Sequence, residues 1–136
     1  MKRSIINKII QESDEFIKSH GFRLPPFAYF QPSELVARKR EYQAIFDARL
    51  GWDITDYGEG HFDEKGLFLF TVRNGSMSDL RSGKGMCYAE KIMISRQDQV
   101  SPSHRHIIKT EDIINRGGAT LAIEMFESNA NGEIDL

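Results

Sequence analysis

The chain has one cysteine, Cys87, in 136 residues. No disulfide can close within it, and such a composition suits a reducing compartment. Long hydrophobic runs are missing. No apolar stretch approaches the roughly 18 residues of a membrane span. The segment after Met1-Lys2-Arg3 mixes Ile with Asn, Lys and Gln, unlike a signal-peptide core. Neither sign of charge is in excess: 18 Lys and Arg against 20 Asp and Glu leave −2. That balance argues against a strongly basic nucleic-acid binder and against a polyacidic tail. A soluble, cytoplasmic protein is expected, with neither nucleic acid nor membrane as partner. Charged residues at 28% and hydrophobic residues at 40% describe a folded chain, and the length is that of one domain, residues 1–136.

The first 50 residues read as a helical N-terminal extension. Ile5, Ile6, Ile9, Ile10, Phe16 and Ile17 recur at helical spacing, Ser4 is placed to cap their helix, and Gly21 to end it. Pro25-Pro26 forces an extended connection. A second helix is predicted after Pro32-Ser33, with Leu35, Tyr42, Ile45, Phe46 and Leu50 inward and Gly51 at its end. Arg38-Lys39-Arg40 reads as its solvated face.

Beyond Gly51 the helical period stops. Leu67 to Arg73 is β-rich and runs into the turn dipeptide Asn74-Gly75. Tyr88–Ile94 and Leu121–Phe126 are further candidate strands, and Trp52 is expected to anchor the second helix to this β body, residues 51–136. Two helices followed by short strands and Gly-rich turns imply an α+β, mainly β chain with a sandwich or barrel.

Ser103-His104-Arg105-His106, followed by Glu111, is the strongest chemical signal. Histidines at i and i+2 of a strand share a face, and imidazoles beside a carboxylate suit a divalent transition metal. The competing reading is an exposed loop with two incidental histidines. Other signals are weaker. Asp53–Glu64 has the Gly and final Glu of a calcium loop, but Thr55 and Tyr57 replace oxygen-rich ligands, and His61 within it reads as a surface or packing residue. Cys87 reads as a small hydrophobe without an activating partner. Gly83-Lys84-Gly85 lacks the spacing of a phosphate loop. Glu124 is an acid–base candidate only if it faces inward.

His104-Arg105-His106, four residues, Glu111, six residues and Gly118 resemble the first metal motif of the cupin superfamily, although Asp98 stands where that pattern has Gly. Longer phrases narrow the resemblance: Gly51-Trp52-Asp53-Ile54-Thr55-Asp56, Tyr88-Ala89-Glu90-Lys91-Ile92-Met93, and Glu111-Asp112-Ile113-Ile114-Asn115-Arg116-Gly117-Gly118 are similar to the D-lyxose isomerase family. The resemblance implies a cupin-like, jelly-roll type barrel and a manganese-dependent interconversion of D-lyxose and D-xylulose, with some action on mannose and fructose. It implies His104, His106 and Glu111 as metal ligands.

The chemistry is coherent. Moving a proton between C1 and C2 of a small sugar is eased by a divalent ion on the carbonyl and hydroxyl oxygens, and a separate base must relay the proton. Lys91 alternates with Ala89 and Met93 on one face of its strand, opposite Glu90, Ile92 and Ile94. The resemblance places it near the metal as a catalytic, substrate-contacting donor; the competing reading is a solvated lysine. No histidine follows His106, whereas cupins bring another ligand from a later hairpin. The resemblance therefore implies the N-terminal part of a longer protein, an incomplete barrel and weak activity of these 136 residues alone. Open sheet edges predict a homodimer or higher oligomer. The alternative function is a non-catalytic cupin-like module that binds metal or sugar.

Overall fold

Ile9, Ser13 and Ile17, each four residues apart, are the buried stripe of the first helix, α1 (Arg3–Ser19). The structure, a computed structural model, describes residues 1–107 and 109–134. The stripe is narrower than the pattern of isoleucines suggests: Ile5 and Phe16 are exposed. Ser4 is not the cap. The helix begins two residues earlier, at Arg3 behind Lys2, with no side-chain cap. Its end is a Schellman turn in which the Gly21 N–H donates to Lys18 O and the Phe22 N–H to Ile17 O. Gly21 has φ +77°, where a Cβ would be strained.

After α1 come a 3₁₀ helix (Pro26–Tyr29) and two short helices, α2 (Pro32–Ala37) and α3 (Gln43–Asp47). The single helix expected from residue 33 to Leu50 is thus divided at residues 38–42. Neither piece contains a buried residue, so no packed stripe holds one continuous rod. Instead Arg38 pairs with Glu34 across one turn and with Glu41 within the break. The left-handed residue after α3 is Arg49, at φ 52°.

Three antiparallel strands follow in the order β1-β2-β3: β1 (Gly51–Thr55), β2 (Leu67–Arg73) and β3 (Glu90–Ile94). This open sheet with its helices gives an α+β unit. Trp52 pairs with Phe70 and Ile54 with Phe68, while Phe70 pairs with Ile92 and Phe68 with Ile94. That face packs on Ile9, Ile17, Leu24, Ala28 and Phe62. The Trp52 indole N–H donates to Ala28 O at 2.8 Å, so Trp52 anchors the 3₁₀ helix and not the segment after Pro32. The other face carries Asp53, Leu69, Thr71, Lys91 and Met93.

Asn74-Gly75 does not close a tight hairpin. Ser76 accepts from the Asp79 N–H and caps α4 (Met77–Ser82), which Gly83 ends in the left-handed region. A capping signal thus overrides the turn dipeptide. After β3, Gln99 donates to Phe62 O, and Arg96 pairs with Glu12 on α1 and with Asp63. A Cβ on Gly66 would lie 2.5 Å from Phe62 O, so only glycine fits this closure.

Two units divide the chain, residues 1–101 and 102–136. In the second, a Ser128–Ile134 bridge is the regular pairing among the described residues. The strand expected at Leu121–Phe126 is absent: that segment pairs with no described strand, and Ile123 and Met125 are exposed. Among the described residues, no helix is long and apolar enough to cross a membrane.

Phe70 is fully buried, at 0% exposure. Phe70→Ala is expected to lose about 3–5 kcal/mol of stability in urea unfolding; a loss below about 1 kcal/mol would place the core elsewhere.

Candidate functional site

The His-x-His segment runs through the second unit without belonging to a strand. Side-chain alternation survives nonetheless. Arg105 donates to the carbonyl oxygens of Asn131 and Gly132. His104 and His106, on either side of it, turn to each other, with ring centroids 4.9 Å apart. The carbonyls that receive Arg105 belong to a turn built on Asn129, whose side-chain oxygen accepts from the Asn131 and Glu133 N–H groups. A second polar turn, in which Asn115 accepts from the Gly117 N–H and donates to Ala119 O, follows Glu111.

His104 Nδ1 lies 3.0 Å from Pro102 O. A carbonyl only accepts, so Nδ1 carries a proton, and in the neutral ring Nε2 is left with its lone pair. That Nε2 lies 3.1 Å from Nε2 of His106. Two imidazole nitrogens on one ion, with bonds of about 2.1 Å at a right angle, stand about 3.0 Å apart. The pair therefore fits a shared divalent ion, and equally a shared proton.

Glu111 reaches the pair from behind. Its Oε2 is 3.6 Å from His106 Nδ1, the ring nitrogen on the far side from His104. Its Oε1 accepts from Lys109 Nζ at 2.7 Å. The Lys109 hydrogen bond, followed by the charges of Lys109, His106 and His104, holds the Glu111 carboxyl below its ordinary value against partial burial. Two of the three expected ligands thus face each other, and the third, Glu111, stands behind His106 on the side away from the pair. Among the described residues, no group of three His, Cys, Asp or Glu side chains is arranged to hold a metal ion.

The D-lyxose isomerase family model matches residues 1–136. The chain belongs to the D-lyxose isomerase family. A relative from Escherichia coli O157:H7, named D-lyxose/D-mannose isomerase, is 46% identical over 132 residues, covering 96% of this chain and 57% of the relative. A relative of the same name from Serratia proteamaculans is 46% identical over 130 residues, covering 95% and 56%. The chain thus spans a little over half the length of the curated relatives it matches.

Of the other residues singled out in this D-lyxose isomerase family chain, Lys91 lies in the first unit, on β3. It is exposed and opposite Thr71, and alternates with the inward Ile92 and Ile94 as the sequence suggests. Asp56, inside the calcium-like loop, serves the backbone: its carboxylate accepts from the Gly58 N–H, which holds its carboxyl below the ordinary aspartate range. Cys87 is exposed and not the buried hydrophobe expected, because it precedes β3 in a loop. Glu124 is exposed on the unpaired segment. Lys109, Arg105 and the Pro102 carbonyl were not singled out by pattern. The lysine two residues before Glu111 was the available signal.

The carboxyl of Glu111 is expected to titrate below the ordinary glutamate range by carbon NMR, and Lys109→Met to move its midpoint up toward that range. An unchanged midpoint would remove Lys109 as the cause.

Proposed function

We propose that the protein is a metal-dependent aldose–ketose isomerase that interconverts D-lyxose and D-xylulose and also acts on D-mannose and D-fructose. The observation that carries this reading is the family match along the whole chain, and the shared name of the two relatives supports both sugar pairs. We place the open sheet in a cupin-like barrel and the enzyme in the cytoplasm, where a chain with one cysteine needs no disulfide.

We assign a divalent ion, Mn2+, to His104 and His106, with Glu111 as the third ligand. When bound, the ion supplies a Lewis acid for the sugar's oxygens and offsets the negative charge that develops as the proton moves between carbons. The chain's own groups prepare this. Pro102 O holds the His104 ring with Nε2 unprotonated, and Arg105 pins the segment from its opposite side. Lys91 is assigned the role of a donor to a sugar oxygen. Its ammonium is exposed on the sheet face away from the helices, on a strand that fixes its backbone.

His104→Ala and His106→Ala are each expected to lower Mn2+ affinity about tenfold or more, since losses of outer partners alone reach that size, and to abolish xylulose formation from D-lyxose. Metal content unchanged in both variants would move the site elsewhere. No xylulose from the parent chain under any divalent metal, with D-lyxose still bound, would leave a non-catalytic cupin-like binding module.

The open sheet also supports self-association. Among the described residues, β1 and β3 each keep one unpaired edge, and such edges template pairing with another chain. A homodimer or higher oligomer is expected in sedimentation velocity at micromolar concentration; a single monomer boundary would overturn it.

A further inference from the structure

β3 meets β2 along one edge, and its other edge faces no strand among the described residues. Residues 121–126 have the composition of a strand, pair with no described strand, and expose Leu121, Ile123, Met125 and Phe126. The chain thus holds an edge without a strand and a strand without an edge. A strand added to an open edge gains main-chain hydrogen bonds whatever its sequence. Its side chains decide the register. On β3, Ile92 and Ile94 pack toward the helices, and Lys91 and Met93 alternate with them on the exposed face. Laid antiparallel with Ile123 opposite Ile92, residues 121–126 set Leu121 opposite Ile94, Ala122 opposite Met93 and Glu124 opposite Lys91. Two apolar pairs then extend the packed face, and on the other face a carboxylate meets an ammonium. β1 offers no such match. Setting Ile123 opposite Ile54 brings Glu124 against Asp53, and setting it opposite Trp52 leaves Glu124 opposite Gly51. Like charges directly opposite each other destabilise a strand pair, and opposite charges stabilise it.

We propose that residues 121–126 of one copy add to the free edge of β3 in a second copy, antiparallel and with Glu124 opposite Lys91, and that the exchange is reciprocal. The inference rests on the self-association reading above and names the surface that carries it. Two copies satisfy both unpaired elements at once, in a closed two-fold dimer and not an open chain of molecules. The exchange also brings a residue of the second copy beside the lysine assigned to the sugar. An ammonium has three N–H donors, so Lys91 held by Glu124 keeps donors for a sugar oxygen.

The test uses charge reversal in the full chain: Lys91→Glu, Glu124→Lys, their one-to-one mixture, and both changes in one chain. Alone, each single variant sets like charges against each other at both contacts of its dimer. Its dimer dissociation constant in sedimentation velocity is expected to rise about tenfold. In the mixture a heterodimer regains both attractive pairs. Dimers of parent affinity are therefore expected there, shown to be heterodimers by native mass spectrometry with one variant labelled with nitrogen-15. The double variant is expected to dimerise like the parent. Rescue in the double variant without rescue in the mixture would place the pair within one chain and overturn the exchange. Lys91→Gln and Glu124→Gln, which repel nothing, are expected to weaken the dimer about two- to threefold, and they decide the matter where a reversal disturbs folding. Unchanged dimers in these and in the reversals would move the interface elsewhere and remove only this inference. A parent chain that sediments as a monomer would remove the self-association reading and this inference with it.

Discussion

The first unit depends on burying Phe68 and Phe70. Both rings come from the central strand, at 1% and 0% exposure, and both lie on the face that meets the helices. Trp52 lies against both, 5.6 Å from Phe68 and 4.7 Å from Phe70 between ring centroids. Its half-buried N–H needs an acceptor, and Ala28 O is that acceptor. One hydrogen bond thus fixes where the 3₁₀ helix sits on the sheet. The adjacent Phe27 stacks on Phe70 at 5.5 Å, and the Pro25-Pro26 pair limits the chain leading into it. Arg96 then ties the far end of β3 back to α1 through Glu12. The ion pair is exposed and adds little stability by itself; the aromatic burial decides the arrangement.

Elements whose pattern is local were legible. α1 announces itself by its 3.6-residue stripe and its glycine stop, and β2 and β3 by dense β-branched and aromatic runs. β1 was hidden, because Asp53 and Thr55 dilute its pattern and its pairing with β2 is a long-range contact. The helix predicted over residues 33–50 fails for a related reason. Its spacing is helical, but periodicity expresses itself as one long helix only where a stripe is buried, and α2 and α3 bury none. Leu121–Phe126 has strand composition without a strand to pair with among the described residues. In each case the missing information was a partner distant in sequence.

The candidate site divides along the same line. That His104 and His106 turn the same way follows from an extended backbone alone, and it holds here without any sheet. That Pro102 O selects the His104 tautomer, and that Glu111 approaches His106 through Nδ1, are matters of three-dimensional placement. Spacing cannot show which ring nitrogen a carboxylate meets. The structure adds Lys109, which pattern did not single out and which donates to Glu111.

The exposure of Lys109 matters for what such a partner can do. A buried lysine on Glu111 would make the carboxylate costly to release, because breaking a buried pair strands a charge at about 3–5 kcal/mol. With about half of the Lys109 side chain in water, the pair is worth about 0–1 kcal/mol. Water solvates the ammonium as soon as the carboxylate turns away. A partner of this strength holds Glu111 close to the histidines without locking it there. The same exposure makes the pair sensitive to salt, which screens Lys109 at the surface.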